Sequence, residues 1–349
     1  MTYFYGRLFA AEPEISAMFP AAMDGQRHRF YRALYRLVVT RDEGLDDYLA
    51  ELGRAHRKFG VRREHYAAFR TALLAAAARW TPPGSGAGDD WLAAFDHATE
   101  LMASAAEDDA ARTPAWWTAE VTAHEMRTPQ LAVLTLRPGE AFPYRPGQHV
   151  WVQTPRWPRL WRRYSVANAP RADGSLTLHV RAVEGGLVST TLVNHLARGD
   201  TLLLGPAGGG MTADTESARP VLCLAGGTGL APLKAIIEAI GQAAKPGGRH
   251  RDIVLYYGAR TRDGLYDLPA LRRMELDYPW LEVVPATSVE RAAGTAFGTI
   301  PALAEKARWD GSDVYISGPD AMIVAAVEAL RDLGADPAHL HYDLPEEVA

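Results

Sequence analysis

The chain has 349 residues, too many for one small domain and enough for two or three. With 48% hydrophobic and 23% charged residues it has a globular composition, and a net charge of -5 leaves no basic footprint for nucleic acid. The single cysteine, Cys223, excludes an internal disulfide and any thiolate zinc or iron–sulfur centre. No apolar run is long enough to span a membrane and no signal-peptide pattern opens the chain, so a cytoplasmic protein is expected.

Residues 1–110 have helical periodicity. One stripe carries Met23, Gln26, Phe30, Leu34 and Leu37, and the next carries Leu45, Tyr48, Leu49, Leu52, His56 and Phe59. A further helix runs from Glu64 through Tyr66, Phe69, Leu73 and Leu74. The last follows Asp89-Asp90 as N-cap, with Trp91, Phe95, Ala98, Leu101 and Met102 on one face. Pro82-Pro83-Gly84-Ser85-Gly86 reads as a loop.

Near Thr113-Pro114 the period shortens to two, as in Leu176–Val180 and Thr201–Leu204, with turns at Arg137-Pro138-Gly139, Arg145-Pro146-Gly147 and Ala172-Asp173-Gly174. Residues 111–213 are therefore expected to form an antiparallel β-barrel. Residues 214–349 alternate strand and helix: apolar strands at Val221–Leu224, Ile253–Tyr257, Leu281–Val284 and Val314–Ser317, with a helix from about Pro232 to Ala243. That alternation predicts an α/β domain on a parallel sheet, with ligands at the strand C-termini.

Motifs at strand ends carry the chemistry. Arg145-Pro146-Gly147-Gln148-His149 precedes one strand, and Arg162-Arg163-Tyr164-Ser165 supplies a phosphate partner, a ring to pack on a flavin and a hydroxyl. Gly185-Gly186-Leu187-Val188-Ser189 opens a helix whose N–H groups suit a pyrophosphate. Gly226-Gly227-Thr228-Gly229, with Pro232 following, lies between strand and helix, and Ser317-Gly318-Pro319 ends a later strand. In this order the motifs resemble the ferredoxin–NADP reductase superfamily. The resemblance implies that Arg145, Gln148, His149, Arg162, Tyr164, Ser165, Gly186, Val188 and Ser189 bind FAD. It likewise implies that Gly227, Thr228, Gly229, Pro232, Gly318 and Pro319 bind the nicotinamide nucleotide. Hydride then passes to the flavin. Gly258-Ala259-Arg260-Thr261-Arg262-Asp263 offers both arginines and an acid to the ribose, and the family leans to NADH, with NADPH the alternative. Relatives end in an acid and a flavin-covering aromatic; His341-Tyr342-Asp343-Leu344-Pro345 keeps only the acid.

Alone, His56 on its apolar stripe reads as a hydrogen-bonded core histidine or as a ligand. Together with Phe4-Tyr5-Gly6-Arg7-Leu8-Phe9, Met18-Phe19-Pro20 and His56–Tyr66, it resembles the globin domain of a flavohaemoglobin. That resemblance implies haem b with His56 on the iron, Phe19 packed on the porphyrin, Tyr5 and Gln26 beside bound gas, and Tyr66 supporting His56. The implied activity is NADH-dependent nitric oxide dioxygenation, NO and O2 giving nitrate, with no obligatory protein partner. Three departures stand out. The chain begins four residues before Tyr5, implying either a start assigned too late or a globin without its first helix; Ala106 stands where relatives place a glutamate; and Ala55 replaces a lysine. The lost polar partners make His56 less anionic, which favours dioxygenation over peroxidase-like chemistry. The competing expectations are an NAD(P)H:flavin oxidoreductase whose helical domain no longer binds haem, and an O2 or redox sensor that the reductase resets.

Overall fold

The computed structural model describes residues 1–20, 23–37, 44–79, 87–244 and 250–344. The chain divides into two compact units, Met1–Trp116 with Pro158–Leu160, and Trp117–Trp157 with Trp161–Ala349.

The first unit is helical: α1 Thr2–Ala11, α2 Pro13–Ser16, α3 Asp24–Tyr35, α4 Leu45–His56, α5 Arg63–Ala77 and α6 Ala87–Ala110. The expected Pro82–Gly86 loop lies outside the described residues. Helix α6 starts at Ala87, so Asp89 and Asp90 fall within its first turn instead of capping it. Trp91 is 38% exposed, whereas Phe95, Ala98 and Met102 of the same stripe are buried. Helix α4 places Asp46 and Asp47 in its first turn and Arg54 and His56 in its last, matching its dipole. His65 caps α5 by accepting the Arg62 backbone N–H at 3.0 Å.

Two apolar clusters form in this unit. Phe4, Tyr5 and Leu8 of α1 meet Ile15, Leu34, Leu73 and Phe95, with Phe19, Phe30 and Phe69 packed against them. Leu37, Leu49, Ala98 and Met102 form the other, joined by Leu52 and Tyr66. Helices α4 and α6 approach so closely at Gly53 that a Cβ there would strike the Met102 backbone carbonyl.

The second unit joins a barrel to an α/β layer. Strands β1 Trp117–Thr128, β2 Leu131–Pro138, β3 His149–Gln153, β4 Arg162–Ser165, β5 Leu176–Arg181 and β6 Thr201–Gly208 form an antiparallel sheet in the order β4-β3-β6-β1-β2-β5. It closes on itself where Val166, just past β4, bridges Leu178 of β5. The Asn168 side chain extends that seam: its Oδ1 accepts the Thr177 N–H at 2.6 Å, and its Nδ2 donates to Ser175 O at 3.2 Å. Helix α7, Leu187–Asn194, follows β5.

The parallel sheet contains β7 Val221–Gly226, β8 Ile253–Ala259, β9 Leu281–Thr287, β10 Ala296–Phe297, β11 Asp313–Ser317 and β12 Leu340–His341, ordered β10-β9-β8-β7-β11-β12. Helices α8 Leu230–Ala243, α9 Leu268–Asp277, α10 Ile300–Ala304 and α11 Asp320–Asp332 connect them. Separate buried clusters, one around Ile236 and Leu255 and one around Ile316 and Val327, give the sheet a core on each face. The order reverses between β7 and β11, and a doubly wound sheet opens its ligand crevice at such a point.

Replacing Gly53 by alanine is expected to lower the stability of the helical unit by about 1–3 kcal/mol, the usual cost of overpacking. Denaturant unfolding followed by circular dichroism measures it, and an unchanged midpoint would contradict the α4–α6 contact.

Candidate cofactor sites and the family

In the helical unit, α4 ends on His56. Its Nδ1 lies 2.6 Å from Leu52 O, one turn back on the same helix. A carbonyl can only accept, so Nδ1 carries the proton and Nε2 keeps its lone pair. Among the described residues the ring's hydrogen bond runs through Nδ1, and none is made by Nε2. Burial lowers the His56 pKa, only partly offset by the Leu52 carbonyl, and so holds the ring neutral. A fixed tautomer with an unused Nε2 is the form in which imidazole binds a metal. The residues present therefore fit an axial ligand to haem iron.

Tyr5, on α1, is 3% exposed, and its hydroxyl lacks a well-formed hydrogen bond among the described residues. Desolvation pushes its pKa up to about 12, while the neighbouring Gln26 amide and the charges of Arg29 and Arg27 pull the other way. Arg29 Nη2 donates to Gln26 Oε1 at 3.0 Å, which leaves the Gln26 Nε2 hydrogens as its available donors. Phe19 packs edge-on to Tyr5, ring centroids 5.6 Å apart. Tyr66 belongs instead to the cluster between α4 and α6, where burial raises its pKa to about 12. No hydrogen bond joins Tyr66 to His56 among the described residues. Glu107, one residue past Ala106, is engaged by Arg63, with Nε–Oε1 2.8 Å and Nη2–Oε2 2.9 Å.

On the barrel, β3 pairs with β4 so that His149 faces Ser165 and Val150 faces Tyr164, and β6 brings Gly208 opposite His149. Gln148, His149, Tyr164 and Ser165 thus share one end of the barrel. The Arg145 turn is shaped by its own N–H donating to Gln148 Oε1 at 2.8 Å, and by Gly147 at φ +101°, where a Cβ would strike the Met211 carbonyl. Arg162 is exposed and donates one N–H to Trp161 O at 2.9 Å. Burial raises the Tyr164 pKa, keeping its hydroxyl protonated. Gly186 is the N-cap of α7, and Ser189 Oγ donates to Gly186 O at 3.1 Å while accepting Val183 N–H at 3.3 Å. Val188, in the first turn, is buried. The first N–H groups of α7 are the donors that a pyrophosphate needs.

The second nucleotide site sits at the β7/β11 reversal. Gly226-Gly227-Thr228-Gly229 leaves β7, Gly227 adopts φ +55°, and α8 begins at Leu230 with Pro232 in its first turn. A Cβ on Gly229 would strike the Ser317 carbonyl, and one on Gly226 would lie 2.5 Å from Met322 Sδ. Gly318 packs against Gly226 from the other side, and Pro319 caps α11. The two loops therefore meet backbone to backbone, leaving their N–H groups as the lining.

The family model for globins matches residues 2–106, that for oxidoreductase FAD-binding domains residues 119–210, and that for oxidoreductase NAD-binding domains residues 223–328. The reductase component 1 of terephthalate 1,2-dioxygenase from a Comamonas species is 30% identical over 241 residues, covering 65% of this chain and 68% of its own. A flavohemoprotein of Bordetella pertussis is 29% identical, covering 98% and 92%. The chain belongs to the flavohaemoglobin family. The fold agrees: a crystal structure of flavohemoglobin from Malassezia yamatoensis superposes with a TM-score of 0.77 at 16% identity, covering 98% of this chain and 92% of that one.

Within this flavohaemoglobin-family chain, the structure adds contacts that the sequence did not reveal. Arg181, at the end of β5, brings its guanidinium close to Gly227, 3.9 Å from where a Cβ would stand. Asp343 Oδ1 accepts N–H bonds from Gly210 at 3.0 Å and Met211 at 3.3 Å, tying the end of the chain beyond β12 to the barrel. His179 of β5, 5% exposed, bonds through Nδ1 to the Tyr266 hydroxyl at 2.8 Å, while Lys234 Nζ pairs with Asp267 at 2.8 Å beside it. A histidine in the middle of an alternating strand gives no signal of a partner 87 residues away.

Desolvation first, then the charge of Lys234, lowers the His179 pKa to about 3 from an ordinary 6.5. The unfolded chain therefore binds a proton at this site between those values that the folded chain does not. Stability from this site is full above 6.5 and is lost as pH falls toward 3. His179→Gln is expected to reduce the slope of unfolding free energy against pH across that window, measured by denaturant titrations at several pH values; an unaltered slope would mean His179 is not buried neutral.

Proposed function

We propose that this chain oxidises NADH through FAD and uses the electrons at haem to convert NO and O2 to nitrate. The observation that carries this reading is the state of His56: among the described residues Nδ1 is committed to Leu52 O and Nε2 makes no hydrogen bond, in the unit that also buries the Tyr5 hydroxyl beside Gln26. When bound, FAD converts a hydride pair into single electrons and haem supplies an iron that binds O2.

The protein's own groups do the rest by binding and orientation. The glycine loop before α8 and the start of α7 offer backbone N–H groups to two pyrophosphates. Arg162 supplies positive charge, and Tyr164 and Ser165 a ring and a hydroxyl at the flavin end of the barrel. His56 presents a neutral nitrogen, without an acidic partner among the described residues to increase its basicity. The Tyr5 hydroxyl and the Gln26 amide offer donors where negative charge develops on dioxygen. NADH over NADPH is supported at the end of β8, where Arg262 Nη1 donates to Ala293 O at 2.9 Å and the Glu290 carboxylate accepts the Arg262 N–H at 2.5 Å. A carboxylate there suits a ribose hydroxyl and repels a 2′-phosphate.

The second reading, electron delivery to an external acceptor, draws on the likeness of the reductase portion to a dioxygenase reductase component. Absorption spectra and assays separate the two. A Soret band with rapid NADH-driven NO consumption supports the first, and flavin absorption alone the second. His56→Ala is expected to abolish the Soret band and leave NADH-dependent reduction of an artificial acceptor within about two-fold, since uncoupled sites behave additively; loss of both would contradict separate roles. Tyr5→Phe is expected to speed O2 release by about ten-fold, the equivalent of one hydrogen bond of roughly 1.4 kcal/mol. Stopped-flow displacement of O2 measures it, and an unchanged rate removes Tyr5 from the gas site.

A further inference from the structure

The proximal side of the helical unit holds a buried charge that the proposed reaction does not use. Arg57, the residue after His56, is 9% exposed. Its Nη1 pairs with the Asp109 carboxylate near the end of α6 and donates to Thr113 Oγ1 at 3.2 Å, and its Nη2 donates to Thr113 O at 2.5 Å. Thr113 Oγ1 lies 3.2 Å from Asp109 Oδ1, so the three residues form one closed network.

The location matters because helix ends are where helices fray. His56 is the last residue of α4; a short turn, Arg57–Phe59, and Gly60 at φ +78° follow it. A ligand placed there needs an anchor from outside its own helix. The carboxylates toward the end of α6 divide their work accordingly. Glu100 and Glu107 go to the exposed Arg63, and Asp109 goes to Arg57.

We infer that Arg57 is the positioning residue of the proximal ligand: through Asp109 and Thr113 it fixes the peptide that carries His56 and hence the direction of Nε2. The inference rests on His56 binding haem iron. Asp109 here supplies position and not basicity, because the imidazole proton goes to the neutral Leu52 carbonyl.

The test uses the full-length, haem-loaded protein and compares wild type with Arg57→Met, Asp109→Ala and Arg57→Lys. Two quantities are read: the rate of haem loss to excess apomyoglobin, and the iron–histidine stretching frequency of the ferrous protein by resonance Raman. Circular dichroism of each variant confirms the fold. Arg57→Met and Asp109→Ala are expected to lose haem about ten- to hundred-fold faster, as outer partners of metal ligands do, and to shift the stretch; Arg57→Lys falls between. Wild-type values in both disruptive variants overturn the inference while leaving His56 as ligand. A lowered melting temperature with an unmoved stretch also overturns it, as that is a merely structural pair. Absence of a Soret band from the wild type overturns the His56 reading and this one with it.

Discussion

Backbone touching backbone, at positions where only a hydrogen fits, is the constraint on which both units rest. In the helical unit Gly53 lets α4 lie against Met102 of α6. In the barrel Gly147 makes room for the Met211 carbonyl, which sets the turn before β3. At the strand reversal Gly226, Gly229 and Gly318 bring the loops after β7 and β11 together. At the strand reversal the contact removes side-chain bulk from the crevice where a doubly wound sheet takes its ligand. The surface left there is made of peptide N–H groups, whose direction is set by the strands and helices behind them.

Within the second unit, barrel and parallel sheet are joined by polar groups as much as by apolar ones. His179 meets Tyr266, Glu238 accepts the Ala169 N–H at 3.0 Å, and Asp343 caps Gly210 and Met211. Burial raises the Glu238 pKa, with the Ala169 N–H pulling it back. Such contacts are directional, so they hold flavin and nicotinamide sites in a fixed mutual orientation. Hydride transfer depends on that orientation, because the protein adds geometry to chemistry that belongs to the cofactors.

How much of this was legible in the sequence depended on how local the cause was. Glycine loops between a strand and a helix announce themselves, and Gly226–Gly229 and Gly185–Ser189 lie where their neighbours dictate. Alternation placed β5 and β6, though β6 runs on to Gly208 and β8 to Ala259, past the apolar residues that marked them. Periodicity also put Trp91 on the buried face, where it does not lie. What stayed hidden was long-range pairing of polar side chains. Nothing near Arg57 names Asp109, and nothing near Gly210 or Met211 names Asp343. Ala106 stands where relatives place a glutamate, whereas the α6 carboxylate that reaches the residue after His56 is Asp109, three positions on.

The barrel's closing seam is its least extensively paired edge. The other staves pair over several residues each, but β4 and β5 are latched by one bridge at Val166 and by the side-chain amide of Asn168. A latch of that kind can be lifted locally, without unzipping the staves on either side. It lies next to Arg162–Ser165, so fraying of the seam would free that end of the barrel first while the other pairings hold.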